Sequence, residues 1–132
     1  MNNIEVLNAI KESLEDYVCP ILIIGNIDFL EIYEYASILP ATCNSEDLLV
    51  RNGRYPNWLY PIMYNSATED DLLIITDFDE LSTEEQKRFI DLICYNSISS
   101  EKLPDSLKIV INAKKKFSLI RKISENVQTY TF

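Results

Sequence analysis

The sequence predicts an α/β domain: a parallel sheet with helices on both faces. Three observations carry this expectation. Pro20-Ile21-Leu22-Ile23-Ile24-Gly25, Leu72-Leu73-Ile74-Ile75-Thr76 and the run from Leu107 to Asn112 are short, continuously apolar and rich in β-branched residues, as central strands covered on both faces are. Stretches of helical spacing alternate with them. Gly25-Asn26, Asp77 to Glu80 and Asn112 end these runs, so they converge at the sheet edge where the ligand crevice of such folds lies.

Residues 4 to 18 place Ile4, Leu7, Ile10 or Lys11, Leu14 and Val18 at three- and four-residue steps among Glu5, Glu12, Glu15 and Asp16, an amphipathic helix that stops before Pro20. After the first strand, Phe29 to Leu39 returns to helical spacing. Pro40, Asn44, Asn52, Gly53 and Pro56 punctuate the next stretch, which holds at most a short strand near Leu48 to Arg51. Pro56 then opens a short helix reaching Ser66 through Trp58, Leu59, Ile62 and Met63. Beyond the second strand, Ser82 and Glu85 have capping-box spacing ahead of a helix whose buried stripe is Phe89, Ile90, Leu92 and Ile93. Phe117 to Ile123 is expected to be a short helix and Val127 to Phe132 a terminal strand.

Composition narrows the chemistry. A chain of 132 residues, 47% hydrophobic and 25% charged, fits one globular domain spanning 1–132. Lys and Arg number 12 against 21 Asp and Glu; at a net charge of -9 a broad grip on nucleic acid phosphates is not expected. Histidine is absent, which removes the commonest general base, imidazole metal ligands and Ser-His or Cys-His nucleophiles together. Cys19, Cys43 and Cys94 are odd in number and widely spaced, so they form no CxxC motif and point to a reducing, cytoplasmic compartment. The N-terminal residues lack the pattern of a signal peptide, and no apolar run has the length of a membrane span.

A strand ending in Gly, a later strand ending in acids and a third ending in Asn follow, in that order, the outline of a P-loop ATPase of the AAA+ class. Residues 51–63, 72–93 and 103–113 resemble the MoxR-type and clamp-loader branches, and residues 123–132 are similar to the segment that closes the AAA+ core sheet. The resemblance implies a three-layer sheet of order 5-1-4-3-2, with residues 21 to 25 as the central first strand. The helical lid that follows the core in the family has no counterpart before Phe132.

The phosphate loop departs from the family pattern. Where the family reads GxxxxGK[ST], residues 25–32 place Leu30 at the second Gly, Glu31 at the Lys and Ile32 at the Mg²⁺-binding hydroxyl, with Asp28 inside the loop. Glu31 replaces attraction to triphosphate by repulsion, roughly 4 kcal/mol per charge pair at about 4 Å and an effective dielectric near 20. Asp77 matches the Mg²⁺-orienting Asp, but Phe78 follows it where a water-activating carboxylate belongs; a shifted register recruits Asp79 and Glu80 instead. Asn112 matches the residue that senses the terminal phosphate. The Arg that reaches a neighbour's site aligns near Glu125, with Arg121 as the substitute.

Each of these residues also has a plainer reading: Gly25 and Asn112 as turn residues, and Asp77, Asp79 and Glu80 as solvated acids at a helix start. The expectation is therefore a pseudo-ATPase with a degenerate Walker A, no catalytic residue, no cofactor and no metal. It acts by protein contact, with an active AAA+ ATPase or itself as partner. Two alternatives are an ATPase subunit whose composite site a partner completes, and a small acidic inhibitor from a phage or mobile element that occupies a basic groove. Eight acids and no base lie between Glu69 and Glu85. Lys114, Lys115, Lys116, Arg121 and Lys122, in a stretch without acids, are the expected partner contacts. Tyr55, Trp58, Tyr60 and Tyr64 read as core and rim, or, if exposed, as a protein interface.

Overall fold

The computed structural model describes residues 3–26, 36–64 and 71–132. Helix α1 (Asn3–Glu15) leads into strand β1 (Ile21–Ile24), and β2 (Ser37–Pro40) is followed by a 3-10 turn at Ser45–Leu48. Helix α2 (Tyr60–Tyr64) precedes β3 (Leu72–Thr76) and a 3-10 turn at Phe78–Glu80. Helices α3 (Thr83–Gln86) and α4 (Ile90–Tyr95) are joined by a 3-10 stretch at Lys87–Phe89. The chain closes through β4 (Ser97–Ile98), β5 (Glu101–Lys102), β6 (Lys108–Ala113), α5 (Arg121–Ser124) and β7 (Gln128–Thr131).

Five strands form a parallel sheet in the order β2-β3-β6-β1-β7, and β4 and β5 make a separate antiparallel ribbon. Numbered among themselves along the chain, the five run 5-1-4-3-2 from the β7 edge, the order expected from the sequence. The central strands are apolar throughout because each face meets its own layer. Ile21, Ile23, Leu72, Ile74 and Val110 pack against Val6, Ile10 and Leu14 of α1. Leu22, Leu73, Ile75, Ile109 and Ile111 face the opposite way, onto Leu59, Ile62, Phe89, Leu92, Ile93 and Ile123. The two-residue alternation along each strand separates these sets.

Local chemistry supports the layers. Glu85 N–H donates to Ser82 Oγ and Ser82 N–H donates to Glu85 Oε1, completing the expected capping box. Gln86, fully buried, donates through Nε2 to Ser118 O and accepts Ile120 N–H at Oε1, which fixes residues 118 to 120 as an extended support for α3. At the end of α1 the Tyr17 hydroxyl accepts the N–H of Ile109, tying the helix exit to the start of β6. Burial pushes this hydroxyl up to about 12, while the Ile109 N–H pulls the other way.

Four expectations need correction. The helix from Phe29 to Leu39 is contradicted at its C-terminal end, where Ser37–Pro40 is a strand; residues 29 to 35 lie outside the described residues. Pairing of Ser37 to Pro40 with Leu73 to Thr76 outweighs helical spacing there. Leu48 to Arg51 makes no strand, since the apolar Leu48 closes a 3-10 turn and Arg51 pairs only with Arg54. The helix from Pro56 contracts to Tyr60–Tyr64, with Ser66 outside the described residues. The helix from Phe117 contracts to Arg121–Ser124, because Gln86 already holds the backbone ahead of it.

Candidate functional site at the carboxyl edge of the sheet

The parallel sheet brings the exits of β1, β3 and β6 to one edge, so Gly25, Asp77, Asp79, Asn112 and Lys114 share a single neighbourhood. Asn112 is 5% exposed, and its Nδ2 donates to Ile23 O at 3.0 Å and Gly25 O at 3.1 Å. Its amide nitrogen is thereby committed to the end of β1. Gly25 itself has φ of 130°, and a Cβ there would lie 2.7 Å from Phe132 Cβ. Its N–H donates to Ala113 O, and the N–H of Phe132 donates to Ile24 O, so the last residue of β6 and the residue after β7 flank the start of the loop. Glycine is required here both by backbone angle and by space.

The acids after β3 are occupied from within the chain. Asp77 adopts a left-handed conformation at φ of 58° and opens the 3-10 turn. Lys114 Nζ lies 3.3 Å from Asp77 Oδ1, and the N–H of Lys114 donates to Asp79 Oδ1 at 3.0 Å. One residue after β6 therefore meets both carboxylates, because β3 and β6 are neighbours and their exits come level. The Asp77–Lys114 pair is partly solvated, with side-chain exposures of 30% and 64%, and holds by geometry more than by energy. Glu80 is exposed. Phe78, beside Asp77, turns inward and packs edge-on against Phe89 and Phe117. It is a core residue.

The Lys114 ammonium stands at Asp77, and the Asn112 amide nitrogen is held by Ile23 O and Gly25 O. Leu30, Glu31 and Ile32 lie outside the described residues.

The expected partner-contact cations lie in different local settings. Lys114 turns to Asp77, Arg121 Nε pairs with Glu125 Oε1 at 2.7 Å, and Lys122 Nζ lies 5.1 Å from the centre of the Tyr95 ring. Lys115 and Lys116 are exposed. Two features are unmarked in the sequence: the placement of Lys114, one lysine of three in a row, and the burial of Gln86 within an acidic and basic stretch. Among the described residues no group of three His, Cys, Asp or Glu side chains is arranged to hold a metal ion. None of the described helices is long and apolar enough to cross a membrane.

No protein-family model matches the sequence, and no curated protein matches it. Among solved structures the chain is similar to a DNA polymerase III gamma subunit-related protein from Thermotoga maritima, at a TM-score of 0.53 and 14% identity. That likeness covers 96% of this chain and 45% of the Thermotoga chain, so the protein spans less than half the length of its structural neighbour. At that identity the likeness is one of fold. Together with the strand order it gives a P-loop NTPase-like α/β fold.

Proposed function

We propose that this chain is a non-catalytic member of the AAA+-like fold group, with a degenerate phosphate loop, that acts through protein contact as a partner, inhibitor or assembly subunit of an ATPase system in the cytoplasm. The observation that supports this reading most is Lys114, whose ammonium and N–H engage Asp77 and Asp79 at the exit of β3. The Lys114 ammonium stands at Asp77, and Glu31 stands in the sequence where the resemblance places the lysine that meets the phosphates, so that repulsion replaces attraction there. Titration calorimetry with ATP and Mg²⁺, with phosphate release measured in parallel, tests the proposal. No binding heat and no release are expected; micromolar binding with turnover overturns it.

A further inference from the structure

A surface on the segment after β2 is built for contact and left unsatisfied. Arg51 N–H donates to Arg54 O at 3.1 Å and Arg54 N–H donates to Arg51 O at 2.8 Å, closing a two-residue hairpin over Asn52 and Gly53. Both turn residues have positive φ, 51° and 74°, as the tight hairpin turn that Asn-Gly favours requires. Residues paired in this way project from the same face of the ribbon, so Arg51 and Arg54 are direct cross-strand neighbours. Like charges in that relation are destabilising. Both arginines are exposed, and among the described residues neither joins an ion pair. In a chain of net charge -9 an unrelieved pair of cations is conspicuous.

Tyr55, directly after this hairpin, belongs to a cluster of three rings. Tyr60 and Tyr64 stack at 5.5 Å with planes 12° apart, and Tyr55 meets them edge-on at 5.9 and 6.2 Å. Tyr64 is 68% exposed. The cluster is anchored, since the Tyr55 hydroxyl donates to Glu101 Oε1 at 2.8 Å and Val50 N–H donates to Ser99 Oγ at 3.0 Å, fastening the segment to the β4–β5 ribbon. Tyrosine and arginine are the residues in which protein interfaces are enriched.

We infer that the Arg51–Arg54 hairpin and the Tyr55, Tyr60, Tyr64 cluster form a docking surface for an acidic peptide segment of another protein, one of whose carboxylates sits between the two guanidinium groups while an apolar or proline residue covers Tyr64. This deepens the reading above and rests on its premise that the chain acts by protein contact. Charge complementarity selects the occupant: the pair of cations calls for an anion that nothing described in the chain supplies. A nucleic acid strand is disfavoured, because a phosphate track needs a run of cations and the Glu101 carboxylate stands beside the ring cluster.

The test is selection from a phage-displayed random peptide library on the full chain, followed by fluorescence anisotropy with the strongest selected peptide. Enrichment of Asp- and Glu-rich sequences carrying an apolar or proline residue is expected, with binding weakened roughly tenfold or more by R51E and by Y64S. K11E, on the exposed side of α1, leaves binding unchanged. R51E also places a carboxylate opposite Arg54, so its melting temperature rises by roughly 1–3 °C while affinity falls, which separates loss of contact from loss of fold. Selected peptides without acidic excess, or equal binding by R51E, overturn the inference. Binding of a labelled oligothymidylate that R51E abolishes, without selection of acidic peptides, overturns it in favour of nucleic acid. Nucleotide calorimetry is independent of all these outcomes, so failure of this surface and failure of the non-catalytic reading are told apart.

Discussion

The carboxyl edge of the sheet and the tyrosine-arginine surface are opposites in how they treat their polar groups. At the sheet edge the chain supplies partners to itself: Asn112 to the end of β1, Lys114 to Asp77 and Asp79, and the backbone after β7 to Ile24. On the segment from Val50 to Tyr64 the backbone is also anchored, yet among the described residues two exposed arginines join no ion pair and the stacked Tyr64 ring stays 68% exposed. A region that completes itself contributes stability, whereas the second region is the one we propose to meet a partner. Position in the fold alone would have nominated the first as the working site; the pairing of polar groups nominates the second.

The contrast is sharpest at Gly25. Gly25→Val adds a side chain against Phe132 at a backbone angle that valine does not tolerate, and is expected to cost about 3 kcal/mol or more, measured by urea denaturation. Asn112→Leu removes the bridge to Ile23 O and Gly25 O and should cost about 2 kcal/mol in the same assay. Neither change should affect peptide binding in molecules that remain folded.

Tyr17, at the opposite end of β6 from Asn112, supplies a reference for a satisfied polar group outside the crevice. Its hydroxyl loses its proton near pH 10 in the unfolded chain and at about 12 in the folded one. The folded state keeps the proton over that interval, so stability falls from pH 10 to 12, by an amount of the order of 2 kcal/mol, and then levels off. Denaturation curves of Tyr17→Phe at these pH values should lack that decline.

R51E has the reverse sign, with a gain of about 0.5 kcal/mol from relief of the arginine pair. Lys114→Met is expected to have the smallest effect, less than about 0.5 kcal/mol, because the Asp77 pair is partly solvated and Lys114 N–H still reaches Asp79. A loss of several kcal/mol for Lys114→Met would mean that the carboxylates depend on that ammonium far more than their exposure implies.

Most of the sheet was legible in the residues themselves. Three continuous apolar runs marked β1, β3 and β6, and the terminal segment marked β7, because strands buried on both faces have no room for polar interruptions. β2 was hidden: only Leu39 of its four residues is buried, so no alternation sets it apart from a helix end, and its pairing with β3 is a contact across more than thirty residues. β4 and β5, at two residues each, are shorter than any periodicity. At the crevice the identities of Gly25, Asp77 and Asn112 were readable, but their partners were not. Hydrogen bonds from Asn112 to β1 and from Lys114 to Asp79 span 87 and 35 residues, and arise only once the exits of neighbouring strands come level.

That same strand order governs when the sheet can be assembled. β1 is central, yet both its neighbours come from the far end of the chain: Ile21 pairs with Val110 on one side and with Gln128 on the other. During synthesis the Ile21-Leu22-Ile23-Ile24 segment therefore waits, with both edges unpaired, while about a hundred residues are added at roughly 5–20 per second. Such a segment is apolar, uncharged and β-prone, the profile of one that pairs with its copies in other nascent chains. Helix α1, made just before it and already carrying Val6, Ile10 and Leu14, is a sequence-local cover during that interval. Mutations on the inner face of α1 should then lower soluble yield from cells more than they lower the stability of the finished protein.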